Sequence, residues 1–198
     1  MPPSEALARA LHSPADPPLR PLPSAAAELL LALDAPPRLA AHLRAVHDVA
    51  YRLVEWVQER CPGLGTDREA VLFGAATHDI GKTVHVAELS GPGSAHEEAG
   101  RALLLEHGFP PRLARFAGTH ASWRAAGTTV EDLLVSTADK VWKNKRVPEL
   151  EDLLVARIAL GTGRPHWEEY LALDDVLEQL GGTADQRLAF QGAFPVGR

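Results

Sequence analysis

Between Arg38 and Arg60, Leu39, Leu43, Val46, Ala50, Leu53 and Val57 recur at alternating steps of four and three, which predicts an amphipathic helix. Cys61-Pro62-Gly63 stops it. The same period, read with its capping signals, predicts further helices downstream. Asp67 caps one through Ile80, closed by Gly81, and Ser94 with Glu97 makes a capping box for one ending at Gly108. Pro111 opens a helix through about Ser122, Thr129 with Asp132 opens another through about Trp142, and Glu149–Leu160 and His166–Leu180 follow. Upstream, Ser24 caps a short helix through Leu33, and Pro36-Pro37 punctuate before the long one. No stretch alternates with period two. The expected fold class is therefore all-α, a single-domain bundle of about seven helices joined by short Gly/Pro loops.

The helical domain is expected over residues 24–181. Residues 1–23, rich in Pro and Ala and poor in aromatic and β-branched residues, read as a flexible leader with at most one helical turn near Glu5–Leu11, and residues 182–198 as a polar C-terminal tail. A chain of 198 residues that is 45% hydrophobic and 23% charged has material for one core. Its formal charge of -6 disfavours nonspecific binding to nucleic acid or anionic membranes, while leaving room for a local basic pocket. Cys61, the sole cysteine, excludes intramolecular disulfides and thiolate metal sites and fits a cytoplasmic address. The Leu-rich stretch Ala25–Leu33 is interrupted by Glu28 and falls short of the roughly 20 residues a membrane span needs. The Met-Pro-Pro start, followed by Glu5 and Arg9, does not read as a signal peptide.

Nine histidines are many for this length, and several sit on helices whose other faces are apolar. At about 100° per residue, His42 falls on the apolar face between Val46 and Val49, whereas His47 falls at its edge beside Tyr51 and Arg44. A lone inward histidine is more often a satisfied core residue than a ligand. The stretch Ala75–Lys82 sets the adjacent pair His78-Asp79 at the end of an apolar helix. Burying an unpaired carboxylate there is costly, and a metal ion removes the cost because it takes deprotonated carboxylates and neutral imidazoles as ligands. The bland reading is a solvated helix end with an Asp79–Lys82 charge pair. Asp139, between Val135 and Trp142 on another apolar face, repeats the conflict and points to a shared cause.

This ordered set, a histidine, a His-Asp pair and a distant aspartate, all on helices, resembles the signature of the HD superfamily of metal-dependent phosphohydrolases through His42, His78, Asp79 and Asp139. With His96 and His120 added, it is similar to the six-ligand, dinuclear version. The resemblance implies two divalent ions of the Fe, Mn or Co kind: His42, His78 and Asp139 on one, His96 and His120 on the other, Asp79 bridging. The competing readings are a solvent-facing first-turn residue for His96 and a helix C-terminal charge partner for His120. A shared ion requires Asp139 to lie within about 8 Å of the His78 ring. His12, His85, His107 and His166 read as surface or loop residues.

The activity implied is hydrolysis of a small phosphoester, a nucleotide above all, since paired cations polarise a phosphoryl oxygen and lower the pKa of a bridging water toward neutrality. Asp79 and Lys82 are the catalytic residues on that reading, Lys82 neutralising charge in the transition state. Lys140, Lys143, Lys145 and Arg146 are candidate contacts to substrate phosphates, against the alternative of a solvated helix end. Trp123 and Trp142 read as base-stacking residues or as core and rim aromatics. The same six-ligand set is similar to that of myo-inositol oxygenase, so a mixed-valent di-iron oxygenase stands as an alternative, with a non-catalytic sensor or scaffold as a third. Ala121 in place of a second histidine after His120, and no Gly-Tyr-Pro motif, disfavour the cyclic-di-GMP phosphodiesterase branch.

Overall fold

The computed structural model describes residues 5–197, which form ten α-helices and no strand. These are α1 Glu5–His12, α2 Ser24–Ala32, α3 Pro37–Arg60, α4 Arg68–Thr77, α5 Ala95–Glu106, α6 Pro111–Thr119, α7 Val130–Val141, α8 Pro148–Thr162, α9 His166–Gly181 and α10 Ala184–Gly192. Single 3₁₀ turns at Pro62–Leu64, Ile80–Thr83 and Val86–Leu89 join some of them. No helix among the described residues is long and apolar enough to cross a membrane.

The fold is built around α3. Proline suits its first turn, where no intrahelical N–H is needed, and its 24 residues, roughly 36 Å, pack against α1, α4, α7 and α10. Because neighbours surround it, burial extends beyond the Leu39–Val57 stripe to Arg44, His47 and Asp48. One apolar cluster joins α3, α4, α7, α8 and α9; a second joins α1, α2, the start of α3, α5 and α6.

Local signals explain most helix starts. The Asp67 side chain accepts from the Ala70 N–H at 3.0 Å, and Thr129 and Asp132 form a reciprocal capping box on α7. The box predicted from Ser94 and Glu97 does not form. Ser94 sits at φ -134°, ψ 6°, away from the extended geometry a capping side chain needs, and makes no cap hydrogen bond. Glu88, from the preceding turn, takes that place and accepts from the N–H groups of Ala95 and His96 at 3.2 and 3.1 Å.

Helix α4 ends at Thr77 rather than Ile80, and Asp79 leaves helical geometry at φ -103°, ψ 13° before the chain tightens into a 3₁₀ turn. Successive helical side chains diverge by about 100°, so this break lets the neighbours His78 and Asp79 face one centre. Gly81 is required in that turn, since a Cβ there would lie 2.6 Å from the Gly100 nitrogen and nearer still to the His96 carbonyl oxygen.

Both ends of the chain differ from expectation and add α1 and α10 to the helices read from the sequence. Leu7, Ala10 and Leu11 of α1 are buried to 2% exposure or less, and the Arg44 guanidinium donates to the carbonyls of Ser13 at 2.7 Å, Leu19 at 2.9 Å and Arg20 at 3.2 Å. The segment from Glu5 to Pro23 is thus docked on α3 instead of being a loose leader. Its composition lacks aromatics, but a short helix that is marginal alone is stabilised when an apolar face is waiting for it. In the expected tail, α10 is anchored by Arg187, which donates to the Trp142 carbonyl at 2.7 Å, and Arg38 donates to that of Phe194 at 2.9 Å. Residues 1–4 of the leader and Arg198 of the tail lie outside the described residues.

Candidate metal centre

Five helices deliver the six candidate ligands to one buried point. His42 comes from the second turn of α3, His78 and Asp79 from the break after α4, His96 from the first turn of α5, His120 from the end of α6 and Asp139 from α7. Their exposures run from 0% for His78 to 8% for Asp139. The ring of His78 presents Nε2 to Asp139 Oδ1 at 3.4 Å, well inside the limit a shared ion sets.

The donor atoms fall into two groups, His42, His78 and Asp139 in one, Asp79, His96 and His120 in the other, each with its atoms within 4.8 Å of one another. Asp79 faces both. Its Oδ2 lies 3.1 Å from His42 Nε2 and 3.6 Å from His78 Nε2, while its Oδ1 lies 3.1 Å from His96 Nε2 and 3.6 Å from His120 Nε2. A carboxylate with one oxygen toward each group has the orientation of a bridge. Donors about 2.0–2.2 Å from one cation sit roughly 3 Å apart, which is the spacing seen here.

All four imidazoles present Nε2 to the centre. The Nδ1–H of His78 donates to the Ala75 carbonyl at 2.9 Å and that of His120 to the Ala117 carbonyl at 3.1 Å, free carbonyls at the ends of their own helices. His96 Nδ1 lies 2.5 Å from Glu88 Oε2. The inward Nε2 of His96 has no hydrogen-bond partner although it is buried and close to a carboxylate oxygen. A cation between that nitrogen and the carboxylate oxygen would satisfy both, so the residues present fit a metal.

The electrostatics agree. Burial lowers the pKa of His42, and lowers that of His120 to about 4 with help from the charge of His78. Burial also opposes charge on His78, but the Asp79 and Asp139 carboxylates outweigh it and raise that imidazole; Asp79 and Glu88 do the same for His96. Burial alone would raise both aspartates; the neighbouring histidines, His78 foremost, hold Asp79 and Asp139 well below the usual carboxylate range. The centre thus gathers two acids held ionised among four imidazoles, the donor set a divalent cation takes.

The flanking cations divide. Lys82 Nζ donates to Asp79 Oδ2 at 2.6 Å and Lys140 Nζ to Asp139 Oδ2 at 2.5 Å, so both ammonium groups stand at the centre with part of each side chain exposed. Lys143 and Lys145 are exposed on the turn after α7, Lys143 with its Nζ 5.7 Å from the Trp142 ring centroid. Arg146, expected as a phosphate contact, is engaged elsewhere. It donates instead to the buried Glu151 at 2.8 Å and to Asp174 at 2.6 Å, because two carboxylates from α8 and α9 converge on it.

Trp142 is 3% exposed and packs edge-on against His42 at 4.8 Å between centroids, a core role. Trp123 lines a surface groove of about 500 Å³ with Ser122, Arg124 and Glu149, and Lys140 Nζ lies 5.7 Å from its ring. His47 is buried as deeply as His42, but between α3 and the docked leader, with Arg20 and Arg44 nearby. A helical wheel cannot anticipate that, since it places His47 at the edge of the stripe and knows nothing of α1. Glu88 is not among the residues the sequence singles out; its only sequence signal is an acid eight positions before a candidate ligand histidine.

A family model described as HD domain matches residues 39–143, more than half of the chain and all six candidate ligands. No curated protein and no solved structure matches.

Proposed function

The chain belongs to the HD-domain family, and from that premise we propose that it is a metal-dependent phosphohydrolase acting on a small phosphoester, a nucleotide above all, with two divalent ions that His42, His78 and Asp139 on one side and His96 and His120 on the other would hold, Asp79 presenting an oxygen to each group. The observation that carries this reading is the split of the Asp79 carboxylate, one oxygen toward His42 and His78, the other toward His96 and His120. Divalent cations held there supply Lewis acidity and hydroxide near pH 7.

The protein's own groups do the rest. Lys82 and Lys140 flank the centre, and on this reading their ammonium groups move from Asp79 and Asp139 onto the oxygens of an arriving phosphoryl group, where they offset developing charge. Trp123, within reach of Lys140, offers the organic part of the ester an apolar face along the adjoining groove. This pairing of cations with the centre favours an anionic substrate over the oxygenase alternative. Purified protein given Mn²⁺, Co²⁺ or Fe²⁺ is expected to turn over some member of a phosphoester panel, and Asp79→Ala to abolish turnover while retaining its helical circular dichroism. No turnover across the panel with any of these metals refutes the proposal. Oxygen uptake dependent on ferrous iron, with a mixed-valent EPR signal, replaces it with the oxygenase.

A further inference from the structure

We propose that Glu88 is a positioning residue whose carboxylate fixes the His96 ring and thereby decides how tightly the Asp79–His96–His120 group holds its ion; the inference rests on the two-ion reading above.

The need for such a residue follows from helix geometry. His78 and His120 lie at helix C-termini, where carbonyls three residues back are free to receive Nδ1–H. His96 lies in the first turn of α5, where the free backbone groups are N–H donors and no carbonyl of its own helix is within reach. Its acceptor must come from outside that helix. Glu88 supplies it: Oε2 stands 2.5 Å from His96 Nδ1 and 3.1 Å from the His96 N–H, and Oε1 3.2 Å from the Ala95 N–H. Three donors from two successive residues converge on one carboxylate, and the positive end of α5 favours its charge.

The consequence is a fixed tautomer. With Nδ1–H given to Glu88, the Nε2 lone pair is held toward Asp79 Oδ1 at 3.1 Å, and a charged acceptor makes that nitrogen a stronger donor to a metal than a carbonyl does. The other group has no equivalent, for His42 Nδ1 is buried without a hydrogen-bond partner. Room for the arrangement is provided by Gly93: a Cβ there would lie 2.7 Å from Glu88 Cγ and nearer still to the carboxylate.

The test is a Mn²⁺ titration of the full chain by calorimetry and EPR, comparing Glu88→Gln with the unsubstituted protein. The expected result is two ions in the unsubstituted protein and, in the variant, selective weakening of one by about 10- to 100-fold with the other little changed. Glu88→Asp, which keeps the charge but is too short to reach Nδ1, is expected to show the same selectivity, so a poorly folded Glu88→Gln does not end the test. In Zn²⁺-loaded, ¹⁵N-labelled protein, the His96 Nδ1–H resonance is expected to move in both variants. Unchanged affinities, equal weakening of both ions, or selective weakening with the His96 Nδ1–H resonance unmoved, as a cap on α5 alone would give, overturn the inference while leaving the two-ion reading intact. A single ion in the unsubstituted protein overturns both.

Discussion

Gly81→Ala is a one-methyl probe of how the centre is assembled. A Cβ at this position would stand 2.6 Å from the Gly100 nitrogen and closer to the His96 carbonyl oxygen, both backbone atoms of α5, so no side-chain rotation relieves the overlap. Restoring an ordinary contact near 3.5 Å to the Gly100 nitrogen alone moves α5 away by about 0.9 Å, and the nearer carbonyl oxygen requires more. Helix α5 carries His96, whose Nε2 is 3.1 Å from Asp79 Oδ1, and metal sites tolerate only about 0.2 Å of error in ligand distance. The variant is therefore expected to lose at least about 10-fold in affinity for the ion on Asp79, His96 and His120, and about 1–3 kcal/mol of stability from overpacking. Gly118→Ala, near the end of α6, is the control: its Cβ would meet nothing nearer than an Arg101 side-chain carbon at 3.5 Å. Helix propensity predicts neutrality or a gain of up to about 1 kcal/mol there. Urea melts and Mn²⁺ titrations of the two variants read both quantities. A Gly81→Ala protein with unchanged stability and two tightly bound ions refutes the reasoning.

Two further outcomes separate structural from functional groups. His47 is held neutral by burial with its pKa lowered to about 4, against about 6.5 when unfolded, so its contribution is complete above pH 6.5 and is lost as pH falls toward 4. That is worth up to roughly 3 kcal/mol, of which about 2 disappears between pH 7 and pH 5; His47→Leu is expected to flatten urea stability over this range, and a pH profile parallel to the unsubstituted protein contradicts it. Lys82→Met and Lys140→Met are each expected to lower kcat on the order of 100-fold with both ions retained, while Arg146→Met leaves turnover unchanged and costs about 2 kcal/mol through the stranded Glu151; equal kcat losses in all three variants contradict that division.

Periodicity and caps carried the reading of α3, α4 and α7, because Leu39–Val57, Asp67 and the Thr129–Asp132 pair act within a few residues of themselves. The centre was legible for a related reason: an acid such as Asp139 on an apolar face is a local contradiction, and its resolution is to be expected at a functional site. What stayed hidden depends on partners distant in sequence. The docking of α1 needs the Arg44 guanidinium to gather carbonyls from Ser13 to Arg20, and the capture of Arg146 needs Asp174, 28 positions away. The Glu88 cap takes the place of Ser94 because Ser94 holds φ -134°, ψ 6°, a backbone conformation its residue type does not encode.

The account rests on two cations sharing Asp79. Anomalous diffraction from crystals of the Mn²⁺-loaded protein tests it most directly. It predicts two peaks, one among His42, His78 and Asp139, the other between His96 and His120, with an oxygen of Asp79 on each; a single peak, none, or peaks away from these residues contradicts it.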